Sequence, residues 1–132
     1  MEHPLDHIAI AVPSIAAALP VFESLSGARS SPPEHIADQG VNVVFIGSAH
    51  CRIELIEPAH SDSAVARFLQ RRGPGLHHLA YRVADVQAAL DDWTARGYEV
   101  IDRTARPGAH GRRVAFLHPR SAHGVLVELM QD

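Results

Sequence analysis

Four residues that can bind a divalent metal ion recur at matched positions in the two halves of the chain. They are His7 and Glu54 in the first half and His78 and Glu128 in the second. The histidines lie 71 positions apart and the glutamates 74. Two neutral imidazoles and two carboxylates form an N2O2 donor set that suits a borderline divalent ion such as Co, Ni, Zn, Mn or Fe. A six-coordinate ion would keep two positions for water or substrate, so we predict one metal site built from all four residues.

The matched spacing belongs to an internal repeat. Residues 5–27 begin Leu-Asp-His-Ile-Ala-Ile-Ala-Val, and residues 76–97 begin Leu-His-His-Leu-Ala-Tyr-Arg-Val. Val12 aligns with Val83, and each copy ends at a glycine after an Ala/Leu-rich stretch. A repeat of this kind indicates two copies of one supersecondary unit.

Each copy reads as a strand followed by a helix and further strands. Ser14 and Asp85 are predicted helix N-caps, and Pro20 predicts a kink or a distorted first turn. Strands are predicted at 7–12, near 28–31, at 41–46 and 51–57, with a turn at Gly47-Ser48, and at 99–102, 114–117 and 125–130 in the second half. Asp62-Ser63 begins a predicted helical connector that ends at Gly73-Pro74-Gly75. The predicted fold is α+β: two tandem β-α-β-β-β modules (about 5–57 and 76–132, connector about 58–75) forming one domain with a concave mixed sheet around a metal site.

Strand alternation decides which side chains share a face. Glu54 lies between Ile53 and Leu55, and Glu128 between Val127 and Leu129, so each acid faces away from its aliphatic neighbours. Taken singly, each acid is equally consistent with a solvent-facing residue and each histidine with a structural one. The matched repeat favours the metal site. His77 should face the side opposite to His78 and is predicted to be structural.

Composition and charge exclude several classes of protein. The net charge is −3, without the basic excess of a nucleic-acid binder. The pairs Arg71-Arg72 and Arg112-Arg113 are either solvated surface or local anion recognition. Cys51 cannot form an internal disulfide and is predicted to be a small buried hydrophobe. No signal peptide and no apolar run long enough to span a membrane is recognised, so the expected compartment is the cytoplasm.

The chain resembles the vicinal oxygen chelate (glyoxalase/bleomycin resistance) superfamily, and within it the methylmalonyl-CoA epimerases. The superfamily resemblance rests on the paired modules and the His…Glu…His…Glu order. The more specific resemblance rests on Gly108-Ala109-His110-Gly111 and Phe116-Leu117-His118-Pro119. It extends over nearly the whole chain.

The resemblance implies epimerisation of (R)- and (S)-methylmalonyl-CoA through α-proton abstraction and an enolate. It implies an isomerase that is a homodimer, with an acyl-CoA as substrate and one divalent metal, cobalt above all, or Ni, Zn, Mn, Fe or Mg. Glu128 and Glu54 are the candidate catalytic bases, although some family members carry a glutamate where this chain has Val43, so the second base stays open. Candidate substrate-binding residues come from the loop after residue 106: His110, Gly111, Arg112 and Arg113.

Three other functions fit parts of the pattern. A glyoxalase I-type lactoylglutathione lyase uses a similar ligand set. An extradiol dioxygenase-like iron enzyme would use only His-His-Glu, which leaves Glu54 unexplained. A metal-free small-molecule-binding dimer of the bleomycin-resistance type would not need the complete ligand set.

Overall fold

The computed structural model describes residues 2–47 and 50–132, so Ser48 of the predicted Gly47-Ser48 turn lies outside the described residues. The chain divides into two compact units. The first unit is His7–His77, and the second is His78–Asp132 together with the residues up to Asp6. The predicted module bounds, which differ slightly from these units, stay a prediction.

The first unit is a mixed sheet with helices. Its elements are β1 (Leu5–Ala11), α1 (Ile15–Ser26), β2 (Glu34–Ile36), β3 (Val41–Ile46), β4 (Arg52–Pro58) and α2 (Ala64–Arg72). β1 pairs with β4 in parallel, whereas the β4–β3 and β3–β2 pairs are antiparallel. α1 packs over a core formed by Val12, Ile15, Val44, Ile46 and Leu55. The opposite face of the sheet carries the side chains of His7 and Glu54.

The second unit repeats this plan. Its elements are β5 (Gly75–Arg82), α3 (Val86–Ala95), β6 (Arg106–Pro107), β7 (Arg113–Leu117) and β8 (Val127–Gln131). β5 pairs with β8 in parallel, and the β8–β7 and β7–β6 pairs are antiparallel. The buried residues beneath α3 include Val86, Leu90, Ala115, Leu117 and Leu129. The predicted α+β fold, with two β-α-β-β-β copies and mixed strand pairing, is confirmed.

The two predicted helix N-caps are also confirmed. The hydroxyl of Ser14 accepts the N–H of Ala17, and the carboxylate of Asp85 accepts that of Ala88. Ser63 caps α2 in the same way. α1 runs on through Pro20, which has no N–H to donate to the preceding turn.

Side chains bind the helices to the strands in the same way in both units. Glu57 at the end of β4 accepts the first N–H of α1 at 2.7 Å, and Gln131 at the end of β8 accepts the first N–H of α3 at 2.6 Å. Each helix therefore begins at a fixed point on its sheet.

Two of the predicted strands are wrong. Residues 28–31 and 99–102 each contribute only an isolated bridge, Ser30 to Ile46 and Val100 to Leu117, and the edge strands β2 and β6 come later. Side chains complete a sparse backbone pairing there: the Ser31 hydroxyl accepts the N–H of Phe45, and the Asp102 carboxylate accepts that of Phe116.

The prediction that Cys51 is buried is also wrong. Its side chain is exposed, because β4 begins at Arg52 and Cys51 precedes the first paired residue. Among the described residues, no helix combines the length and apolar character needed to cross a membrane.

Candidate metal centre

The first unit brings His7 and Glu54 together on one face of its sheet. In the parallel β1–β4 register, Ala9 lies opposite Glu54 and His7 lies two residues earlier on the same face. Nε2 of His7 is 3.5 Å from Oε1 of Glu54, and both side chains are buried. The methyl group of Ala9 leaves room for the imidazole to reach the carboxylate.

The second unit repeats this arrangement with His78 and Glu128. Ala80 lies opposite Glu128 in the β5–β8 register, and His78 again lies two residues earlier. Nε2 of His78 is 3.9 Å from Oε2 of Glu128, and both side chains are buried. Each unit therefore presents one imidazole nitrogen beside one carboxylate oxygen, as the repeat predicts.

Two phenylalanines that the sequence analysis missed support these histidines. Phe45 lies directly across from Glu54, and Phe116 directly across from Glu128. The ring of His7 meets that of Phe45 edge-on, with centroids 5.2 Å apart, and His78 meets Phe116 at 5.5 Å. Edge-to-face pairs restrict the orientation of both rings. The repeat carries the signal, because Phe45 and Phe116 are 71 positions apart, like the histidines.

An arginine lies over each of these phenylalanines. The guanidinium of Arg52 is 4.3 Å from the centre of the Phe45 ring, and that of Arg106 is 5.4 Å from the Phe116 ring. Arg106 also approaches the carboxylate of Asp102 at 3.4 Å. The two arginines come from β4 and β6, which are not equivalent in the repeat. No spacing rule in the sequence therefore reveals them.

The opposite face of β4 has a structural role. Glu57, three residues after Glu54, accepts the N–H of Ile15 and the side-chain N–H of Asn42 at 3.1 Å. Asn42 in turn contacts His35 at 2.9 Å. This glutamate fastens α1 and β3 to β4, and it provides a matched control for Glu54.

His77 packs on α2, as predicted from its alternation with His78. Its ring meets that of Phe68 at 4.8 Å. Burial, followed by the nearby charge of Arg72, lowers the pKa of His77 to about 4. The side chain is therefore neutral near pH 7, in keeping with a structural role.

Val43 provides no proton-transfer group. It is 1% exposed and lies across from Ile56, which is also buried. Both are hydrocarbon side chains, so this point of the sheet is apolar.

The candidate substrate loop is a tight turn between β6 and β7. A 3-10 turn, Ala109–Gly111, joins the two strands, and His110 has the left-handed angles φ 59° and ψ 29°. Arg112 is mostly buried and lies in ion pairs with Asp6 and Asp132, whereas Arg113 is exposed. The structure thus separates two adjacent arginines that the sequence analysis treated alike.

The donor atoms fit a divalent metal ion. Two adjacent ligands bound at 2.0–2.1 Å lie about 2.9 Å apart around a six-coordinate ion and about 3.3 Å apart around a tetrahedral one, and the two His–Glu pairs span 3.5 and 3.9 Å. Small side-chain adjustments would bring each pair to ligand spacing. Imidazole and carboxylate are also the donors that borderline divalent ions prefer.

Comparison with known proteins assigns the family. Residues 6–116 match the family described as the glyoxalase/bleomycin resistance protein/dioxygenase superfamily. The chain is 40% identical to the ethylmalonyl-CoA/methylmalonyl-CoA epimerase of Cereibacter sphaeroides, with 96% of each chain covered. It is 38% identical to the mitochondrial methylmalonyl-CoA epimerase of Dictyostelium discoideum, covering 95% of this chain and 76% of the relative.

A solved structure has the same fold. A variant of Streptomyces coelicolor methylmalonyl-CoA epimerase, in complex with 2-nitronate-propionyl-CoA, superposes with a TM-score of 0.92 at 33% identity and covers 98% of this chain and 94% of its own. The chain belongs to the glyoxalase/bleomycin resistance/dioxygenase superfamily and, within it, to the methylmalonyl-CoA epimerase family.

Proposed function

We propose that this protein interconverts (R)- and (S)-methylmalonyl-CoA. The observation that carries the proposal is the buried His–Glu pair that recurs in both units on equivalent strands. The relatives add the substrate class, since the matched Streptomyces coelicolor structure holds an acyl-CoA compound. The protein is thus an isomerase that acts on an acyl-CoA thioester.

His7, Glu54, His78 and Glu128 together would hold one divalent ion. The repeat supports this assignment, because the two pairs occupy the same place in each copy and provide an N2O2 donor set. Cobalt is our first choice, and Ni, Zn, Mn, Fe and Mg are the alternatives. A bound ion would supply Lewis-acid stabilisation of the negative charge that develops on the thioester when the α-proton leaves.

Glu54 and Glu128 are the proposed proton-transfer groups, one for each face of the α-carbon. Epimerisation requires one group to remove the proton and another to return a proton from the opposite side. Each carboxylate has two oxygens, so one can serve the ion and the other can move a proton. The apolar surroundings of Val43 support the choice of Glu54 for the second base, because position 43 cannot accept a proton here.

His110, Gly111 and Arg113 are proposed to face the CoA portion of the substrate. Arg113 is an exposed cation beside the loop, suited to a phosphate. A homodimer and a cytoplasmic location are further proposals. The dimer rests on the family resemblance, and the compartment rests on a single cysteine that cannot form an internal disulfide.

Deuterium exchange tests the reaction directly. The metal-loaded protein is incubated with one epimer of methylmalonyl-CoA in deuterated water, and deuterium at the α-carbon and formation of the other epimer are followed. We expect both, and we expect Glu128→Gln to slow formation of the other epimer by about 10²- to 10⁴-fold, the usual contribution of a general base. Glu57→Gln, at a glutamate with a structural role in β4, is the control and should retain the rate.

Two results would overturn the proposal. One is the absence of exchange above background together with turnover of the methylglyoxal–glutathione adduct, which would indicate a glyoxalase I-type enzyme. The other is metal-independent binding of an antibiotic of the bleomycin type with no exchange, which would indicate a binding protein.

A further inference from the structure

Four charged side chains of the second unit form a closed ring. Nη2 of Arg82 is 2.6 Å from Oδ1 of Asp6, and its Nη1 is 2.7 Å from Oδ2 of Asp132. Arg112 lies 3.1 Å from Asp132 and 3.7 Å from Asp6. Each arginine therefore contacts both aspartates, and each aspartate contacts both arginines.

The ring joins parts of the chain that are far apart in sequence. Asp6 lies in β1 directly before His7, Arg82 ends β5, and Asp132 follows β8. The side chain of Asp6 is only 4% exposed, and a buried carboxylate without a paired cation would be costly. The hydrogen bond that Arg82 donates to Asp6 raises the pKa of the Arg82 guanidinium above its usual value. A further backbone bond from Arg82 N–H to the Pro4 carbonyl, at 2.9 Å, strengthens the same junction.

Arg112 is the member of the ring that belongs to the loop. Its carbonyl accepts the N–H of Gly108 at 2.9 Å, and its own N–H donates to the carbonyl of Ala109 at 3.2 Å. Between these bonds lie two consecutive left-handed residues, His110 with φ 59° and Gly111 with φ 69°. Residues other than glycine seldom adopt this backbone conformation, and the conformation persists only where the surroundings impose it.

We infer that Arg112 is a positioning residue, whose ion pairs with Asp6 and Asp132 hold the loop Ala109–Gly111 in the shape that presents His110 and Arg113 to the substrate. The side chain of Arg112 is 20% exposed, and its guanidinium already has two carboxylate partners. It is therefore poorly placed to serve as a phosphate ligand, a role that fits the exposed Arg113. The substrate-facing role of the loop rests on the proposed function, whereas its fixation by Arg112 does not.

Amide hydrogen exchange of the metal-free, substrate-free protein tests this fixation. In Arg112→Gln we expect exchange at residues 108–112, which include the hydrogen-bonded amides of Gly108 and Arg112, to accelerate about tenfold. A partly buried network restrains local opening more than an exposed ion pair does. Asp132→Asn removes the charge of one carboxylate partner of Arg112. Because Asp132 is exposed, this change should give a smaller increase in the exchange rate of the loop without a risk to folding. Arg112→Lys keeps the charge but not the planar fork, and should recover part of the protection.

Arg96→Gln is the matched control. Arg96 pairs with Asp92 at 3.1 Å in the same unit, but both side chains are about 60% exposed. Its loss should leave the loop unchanged. In steady-state assays Arg112→Gln should raise KM with little change in kcat, and Asp132→Asn should do the same to a lesser degree.

Unchanged loop exchange in both Arg112→Gln and Asp132→Asn would overturn the inference. If loop exchange were unchanged but KM still rose in Arg112→Gln, the result would indicate that Arg112 contacts the substrate directly and does not act by holding the loop. Exchange does not depend on activity, so a protein that fails to epimerise would refute the proposed function and leave this test standing.

Discussion

Replacing Phe45 or Phe116 by leucine should weaken metal binding as well as the fold. Each ring lies edge-on to a proposed ligand histidine, at 5.2 and 5.5 Å, beneath a guanidinium. Leucine keeps most of the apolar burial but loses the aromatic pair, worth about 0.5–1.5 kcal/mol, and the cation–π contact, worth about 0.5–1 kcal/mol. The free energy of unfolding should therefore fall by about 1–2 kcal/mol in either variant.

The metal affinity should fall about tenfold, at the lower end of what the loss of a group that orients a ligand costs. The affinity is measured by competition with a chromogenic chelator for Co²⁺ or Zn²⁺, and the stability by chemical denaturation of the metal-free protein. Arg52 lies closer to the Phe45 ring than Arg106 does to the Phe116 ring, so Phe45→Leu should lower the free energy of unfolding more than Phe116→Leu does.

Phe22→Leu is the matched control, because Phe22 packs against the core beneath α1. It should lower the stability and leave the metal affinity unchanged. Equal affinities for the wild-type protein and both site variants, or an equal loss in Phe22→Leu, would refute the orienting role of the two rings.

Three further outcomes follow from single contacts. Gly108→Ala should disturb the loop and raise KM, because the added Cβ would lie 2.6 Å from Cγ1 of Val114; an unchanged crystal structure and KM would contradict this. His77 has a pKa lowered to about 4 in the folded protein, chiefly by burial. The unfolded chain therefore binds the proton first as pH falls through 6.5, so stability should drop between about pH 6.5 and 4, by at most about 3 kcal/mol. Denaturation at a series of pH values should give a shallower drop in His77→Gln, and parallel curves would contradict the assignment. Ser63→Ala should cost about 1 kcal/mol in denaturant titrations, since its hydroxyl caps α2, and a cost near zero would exclude a capping contribution.

The sequence predicted the candidate site better than it predicted the sheet edges. Period-two alternation and the repeat offsets, 71 residues for the histidines and 74 for the glutamates, were enough to place Glu54 beside His7 and Glu128 beside His78. The 71-residue offset, applied to the strands β3 and β7, would have found Phe45 and Phe116 as well. Within each unit, these contacts follow from register, which local patterning strongly specifies.

The edge strands were harder to predict because side chains supply part of the hydrogen bonding there. Ser31 and Asp102 each bind a backbone N–H of the neighbouring strand, and the segments around them form isolated bridges instead of a ladder. Residues that meet only through tertiary structure were also beyond reach. Arg112 and Asp6 are remote in sequence, and nothing local distinguishes Arg112 from Arg113.

Metal stoichiometry tests the central claim, that two matched His–Glu pairs hold one ion. Calorimetric titration of the metal-free protein with Co²⁺ should give one ion per chain, and His7→Ala and His78→Ala should each abolish tight binding. Two ions per chain in the wild-type protein, or one tight ion remaining in either variant, would show that the pairs act separately and would contradict the account.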